Sequence, residues 1–215
     1  MTAPSMMERI TSVHEARLDQ ALYRIRASGA RRVLDLGCGH GHLLHRLLAE
    51  PQFEEVVGLE TCAGTLFQAR QMLEAHLQGP APRLRLLIGS YTKPQPELCG
   101  YDAAAMVETI EHLDPDLLSA AERVVFAQMR PRLVYLTTPN REYNPLFGLH
   151  PGEFRERDHR FEWDRARFRR WAQGVAQRNG YQVTLGGIGD DDPNLGPSTQ
   201  TACFQRKIDH DPANQ

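Results

Sequence analysis

Residues 33–41 read Val33-Leu34-Asp35-Leu36-Gly37-Cys38-Gly39-His40-Gly41, an apolar run that ends in three glycines one residue apart. The run begins with Arg31 and Arg32, and its length and flanks predict a buried parallel strand over 31–36. His42 to Ala49 predicts the helix that follows. Glycines between a strand and a helix let the backbone turn sharply and come close to a ligand. The spacing is G-x-G-x-G. It is neither the G-x-G-x-x-G of dinucleotide sites nor a phosphate loop with its Lys-Ser/Thr. Asp35, before the first glycine, puts a carboxylate where it can meet a cationic amino group. Glu60 ends the next strand about 20 residues on, where a carboxylate can accept from sugar hydroxyls. A tight turn without a ligand is the plainer reading of the same glycines.

Outward from this turn, strands and helices alternate. Residues 6–28 carry Ile10, Val13, Leu18, Leu22, Tyr23 and Ile25 at helical spacing, and Ser28-Gly29 stops the helix. Strands are expected at 55–60, 83–88, 101–107 and 132–137, and helices at 63–77, 115–129 and 164–179, the last starting at the N-cap Asp164. Two closing strands, 181–188 and 199–206, flank the turn-rich DDDPNLGPS. The alternation implies a parallel sheet with right-handed crossovers and an antiparallel pair at one edge.

A second cluster follows the fourth strand: Glu108-Thr109-Ile110-Glu111-His112-Leu113-Asp114-Pro115. If 108–112 form a helical turn, Glu108, Glu111 and His112 share one face. Two carboxylates so close repel unless a cation lies between them. Two oxygens and a nitrogen favour Mg²⁺ or Mn²⁺ over a thiolate-seeking metal. A solvated acidic helix start is the competing reading. Its location at the carboxyl end of a parallel strand is where open α/β sheets bind ligands. Downstream, Asp158-His159-Arg160-Phe161-Glu162-Trp163 lies in a stretch, 153–178, with eight arginines against five acidic residues, a local +3 against −2 for the chain. Arginine with Phe154, Phe161 and Trp163 suits single-stranded nucleic acid. Arg165, Arg169 and Arg170 read better as a solvated helix face.

Composition bounds the rest. The chain has 215 residues, 41% hydrophobic and 24% charged, which is ordinary for one globular domain. A net charge of −2 excludes a nucleic-acid coat protein but not an enzyme that grips a few nucleotides. Its four cysteines form no C-x-x-C pair, which fits a reducing cytoplasm and argues against a disulfide framework. No apolar stretch is long enough to span a membrane, and the N-terminus does not read as a secretory signal. A single domain over 1–208 is expected: a helical cap at 1–30, a core with the glycine turn at 31–150, a segment with the His159 cluster and the terminal strands at 151–208, then a frayed tail at 209–215.

Four stretches, RRVLDLGCGHGHLL (31–44), YDAAAMVETIEHLD (101–114), LTTPNREYN (136–144) and DHRFEW (158–163), together resemble the small-RNA 2′-O-methyltransferase family. That family methylates the 3′-terminal ribose of RNA on a class I methyltransferase fold. The resemblance implies a Rossmann-like, seven-stranded, mostly parallel α/β sheet with helices on both faces. It implies S-adenosylmethionine bound by Asp35, Gly37, Gly39, Glu60, Ser90 and Val107. It implies a divalent ion, Mg²⁺ or Mn²⁺, held by Glu108, Glu111, His112 and His159. That ion would bind the vicinal hydroxyls of the terminal nucleotide, with His112 as general base beside Glu108 and Glu111. Asn140, Tyr143 and Arg160 would contact the RNA end, with Glu142 and Asn144 shaping the cleft. One departure stands out: Glu156 occupies a position where the family often has histidine. The ligase-linked region of bacterial repair relatives and the RNA-binding domains of the plant enzyme have no counterpart here, so a separate RNA-repair or guide-RNA partner would supply those functions. Three rivals share part of the evidence. They are a metal-dependent methyltransferase of small vicinal diols, a metallohydrolase built on E-x-x-E-H, and a catalytically weak RNA-end-binding subunit.

Overall fold

The computed structural model describes residues 6–78 and 82–207. The expected tail at 209–215 lies outside them. Seven strands form one sheet in the order β3-β2-β1-β4-β5-β7-β6. They are β1 (Arg32–Leu36), β2 (Glu55–Glu60), β3 (Leu84–Ile88), β4 (Ala103–Val107), β5 (Leu133–Pro139), β6 (Tyr181–Asp192) and β7 (Gly196–Arg206). The first five run parallel, and β7 pairs antiparallel with both β5 and β6.

Side-chain alternation along the strands divides the core between two faces. Val33 packs with Leu18, Ala21 and Ile25 of α1 (Met6–Ala27) and with Leu43, Leu44 and Leu47 of α2 (His42–Ala49). Leu66 of α3 (Ala63–Met72) joins that cluster. Leu34 and Leu36 face the other layer, which holds Val124, Val125 and Phe126, and Phe168, Ala172 and Val175 of α6 (Arg165–Asn179). Tyr23, a core candidate by spacing, is exposed, because it falls off the stripe that Leu18, Ala21 and Ile25 define.

Three elements differ from the sequence reading. The helix expected over 63–77 breaks at Leu73, whose side chain is fully buried, and resumes as α4 (Glu74–Leu77). The helix expected over 115–129 is composite. A 3₁₀ turn leads into α5 (Leu118–Glu122), and Arg123–Met129 widens to π geometry and ends where the Arg130 N–H reaches back to the Val125 carbonyl. The DDDPNLGPS stretch is mostly strand. The Asp192 side chain accepts the N–H groups of Asn194 and Leu195, which tightens the turn and lets β6 and β7 run longer. No described helix is long and apolar enough to cross a membrane.

Candidate functional site

The carboxyl ends of β1 and β4 bound a cavity of about 190 Å³ lined by Asp35, Gly37, Gly39, Val107, Glu108 and His14 of α1, among others. Gly37 holds φ +82°, and a Cβ there would lie 2.8 Å from the Thr109 methyl, so only glycine fits this turn. Asp35 is 2% exposed, and its Oδ2 has no hydrogen-bond partner. Burial, and behind it the Glu60 charge, pushes its carboxyl up to about 7. A buried carboxyl with a bare oxygen calls for a donor, and a cationic amine satisfies both hydrogen bond and charge. Glu60 accepts the Gly39 N–H at 3.1 Å and the Cys62 N–H at 2.9 Å, which pins it to the turn. Val107 joins the cavity lining, whereas Glu60 and Ser90 do not. The Ser90 hydroxyl instead shares a 2.7 Å hydrogen bond with that of Thr92.

Beyond β4, one ligand atom each of Glu111, His112 and His159 lie within 4.8 Å of one another. The carboxylate of Glu111 is fully buried. Its Oε2 accepts from the Thr138 hydroxyl at 3.0 Å, and its Oε1 has no partner. Burial first, and then the charge of Glu108, drives its carboxyl well above the usual range. The two imidazoles meet edge to face at 4.9 Å. Each turns Nδ1 to a carboxylate, Asp158 at 3.1 Å from His112 and Glu162 at 2.6 Å from His159. An orphaned buried carboxylate oxygen beside two imidazoles oriented in this way fits a divalent cation with oxygen and nitrogen ligands.

Glu108 lies outside this trio. The helical turn expected over 108–112 forms only at Ile110–His112 as 3₁₀ geometry, because Glu108 takes a left-handed φ of 51°. Its N–H donates to the Thr137 carbonyl and hydroxyl oxygens. Its Oε1 accepts from the Thr137 hydroxyl at 2.8 Å, and its Oε2 pairs with Arg17 of α1 at 3.0 Å. Arg17 is itself buried, its Nε donating to Thr199 at 2.9 Å. Nothing in the helical spacing of 6–28 marks Arg17, since a single arginine on a buried stripe carries no periodic signal.

The three residues expected at the RNA end differ in placement. Asn140 is fully buried and fully used: Nδ2 donates to the Leu195 and Pro197 carbonyls at 2.8 Å, and Oδ1 accepts the Glu142 N–H at 3.0 Å. This is a capping role in the fold, not an exposed contact. Tyr143 is buried against Phe147. Arg160 alone is exposed. Its N–H donates to the Glu111 carbonyl at 2.7 Å, and its guanidinium lies 3.5 Å from Asp114 at the rim of the trio. Arg155, which the motifs did not single out, threads between the two loops. Its Nε donates to Asn144 at 2.8 Å and its guanidinium NH₂ to the Asn140 carbonyl at 2.6 Å, and burial pulls its pKa down to about 10.

A glycine turn after β1, an acid at the end of β2 and a seven-stranded sheet ending in an antiparallel pair define a class I methyltransferase fold. A family model described as a methyltransferase domain matches residues 34–132. The chain is 37% identical over 185 residues to the small RNA 2′-O-methyltransferase of Xenopus tropicalis, covering 82% of this chain and 50% of that protein. It is 31% identical over 209 residues to that of Arabidopsis thaliana, covering 89% of this chain and 22% of that protein. The crystal structure of the methyltransferase domain of bacterial CtHen1-C superposes with a TM-score of 0.81 at 37% identity, covering 91% of this chain and 100% of that one. The chain therefore belongs to the small RNA 2′-O-methyltransferase (Hen1) family. It spans about half the length of the Xenopus relative.

Proposed function

We propose that this chain transfers a methyl group from S-adenosylmethionine to the 2′-hydroxyl of the 3′-terminal nucleotide of RNA, with a divalent ion, Mg²⁺ or Mn²⁺, in the site. The observation that carries the reading is the buried, half-unsatisfied Glu111 carboxylate beside two carboxylate-held imidazoles, three residues on from Glu108 in the glycine-turn cavity. The names of the relatives at 31–37% identity support the same chemistry.

Asp35 would receive the donor's ammonium group, Gly37 and Gly39 leave room for its methionine end, and Val107 would pack against it. Glu60 would accept from the ribose hydroxyls and Ser90 would sit by the adenine. Glu111, His112 and His159 would hold the ion, and Glu108 would join them only by giving up Arg17. A divalent ion held there would supply Lewis acidity, lowering the pKa of the hydroxyl to be methylated. With Nδ1 turned to Asp158, His112 has Nε2 left for the cleft. That single lone pair can serve one task at a time, so His112, the most exposed of the trio, would receive the hydroxyl proton and pass it to water only when its Nε2 is off the ion. Arg160 would meet a phosphate at the rim. An RNA 3′ end is the substrate, a separate RNA-repair or guide-RNA protein is the partner class, and 1–208 acts as one domain in a reducing, cytoplasmic setting.

The test is transfer of labelled methyl from S-adenosylmethionine to a short RNA, with and without Mn²⁺, beside the same RNA ending in a 2′-deoxynucleotide. Labelling that needs Mn²⁺ and vanishes with the 2′-deoxy end is expected. Equal labelling of both RNAs would overturn the reading, and labelling of a catechol but of neither RNA would replace it with the small-diol reading.

A further inference from the structure

Glu162 sits where a structural acid would be an odd choice. Its side chain is fully buried, yet it carries three hydrogen bonds that no neutral residue reproduces. Oε1 faces His159 Nδ1 at 2.6 Å and accepts the Arg155 N–H at 2.7 Å. Oε2 accepts from Asn144 Nδ2 at 2.5 Å. Asn144 Oδ1 in turn accepts from Arg155 Nε, which fixes the amide so that only its NH₂ can face Glu162. The Arg155 N–H and the Asn144 NH₂ are donors, so an ionised carboxylate suits this position, and such a group calls for a third donor from the His159 Nδ1 that faces it. Glutamine has one carbonyl oxygen and would turn its NH₂ against at least one of those donors.

We infer that Glu162 is a positioning residue. Through the 2.6 Å contact it fixes His159 as the Nδ1–H tautomer, leaves the Nε2 lone pair to face Glu111 and His112, and locks segment 140–144 to segment 155–163 around that nitrogen. This rests on the proposed function only in taking the trio as a cation site. Asp158 makes the equivalent contact to His112, but at 3.1 Å and 74% exposed, where water competes for both groups. The two acids thus hold their imidazoles unequally. His159 is the rigid member of the site and His112 the adjustable one.

The experiment compares wild-type protein with Glu162→Gln and Asp158→Asn. The His159 tautomer is read by ¹⁵N NMR of the metal-free protein above the imidazole pKa, and Mn²⁺ affinity by electron paramagnetic resonance without RNA or methyl donor. Wild-type His159 is expected wholly as the Nδ1–H tautomer. In Glu162→Gln the Nε2–H form appears and Mn²⁺ binding weakens by roughly 10–100-fold. Asp158→Asn should weaken it less than about threefold, as for an exposed contact. A Glu162→Gln protein that keeps the tautomer and binds Mn²⁺ like wild type overturns the inference. So does wild-type His159 found as Nε2–H, a result that stands even if the variant does not fold. Failure of RNA methylation with these signatures intact would count against the proposed reaction and leave the positioning role standing.

Discussion

Asp35, the residue proposed to receive the donor's ammonium group, carries an energetic cost within the fold. Its carboxyl is raised to about 7 by burial, so the folded form keeps a proton that the unfolded chain releases near pH 4. Between those values the unfolded state binds fewer protons than the folded state, and stability falls as pH rises, reaching a lower plateau above pH 7. Asp35→Asn removes this penalty. At pH 8, without donor, the variant should be more stable than wild type by roughly 4 kcal/mol at most, and at pH 3.5 the two should coincide. Urea denaturation across this range checks the sign. If Asp35 is the ammonium's partner, S-adenosylhomocysteine should stabilise wild type and not the variant. At this scale the sequence was informative where chemistry needs a rare residue at a fixed place. Asp35, Gly37, Glu111, His112 and His159 stand where their motifs put them. Arg17, Thr138 and Arg155 carried no such mark, since each acts through a contact between segments distant along the chain.

At the scale of elements, α1 is more than a cap on the sheet. Leu18, Ala21 and Ile25 dock it, and Arg17 reaches past them to Glu108 at 3.0 Å and Thr199 at 2.9 Å. Both charged side chains are mostly buried, at 11% and 15% exposure, so removing one leaves the other without its direct ion-pair partner. Arg17→Met should cost about 3 kcal/mol, and adding Glu108→Gln should recover most of that loss. A double-mutant cycle by chemical denaturation gives the coupling directly, and additive losses would mean that the pair is not what holds α1. The strands were legible because each is a short apolar run between turn residues, whereas crossover handedness alone leaves their order in the sheet open. The turn at 108–112 was not. Helical spacing put Glu108 on one face with Glu111 and His112, but the hydrogen bonds of Glu108 to Thr137 pull its backbone into left-handed geometry. That competition comes from β5, which lies 29 residues further along the chain. The β6–β7 hairpin outran its expected length for a local reason, the Asp192 turn, which a reading of DDDPNLGPS as loop overlooked.

For the whole molecule, the sheet order brings the ends of β1 and β4 side by side, so the glycine turn and the E-x-x-E-H turn open onto adjoining space. The segment 155–163 bridges at Trp163 to Asn140, just past β5, and brings His159 to Glu111 and His112. Fold class and cofactor side were readable from β1 onward, because one strand–turn–helix unit carries both. On the side proposed for the metal, the sequence named Glu111, His112 and His159 but not their arrangement, in which two carboxylates, Asp158 and Glu162, face the imidazoles. The central claim is that this trio recognises a terminal ribose through both of its hydroxyls. The most direct measurement is the initial rate of methyl transfer, at saturating Mn²⁺, to one RNA ending in a free 2′,3′-diol and to the same RNA ending in a 3′-phosphate. The diol end is predicted to react at least about 100-fold faster, a difference of about 2.7 kcal/mol in transition-state stabilisation. Equal rates would contradict the claim, because a site that reads both hydroxyls cannot ignore the loss of one.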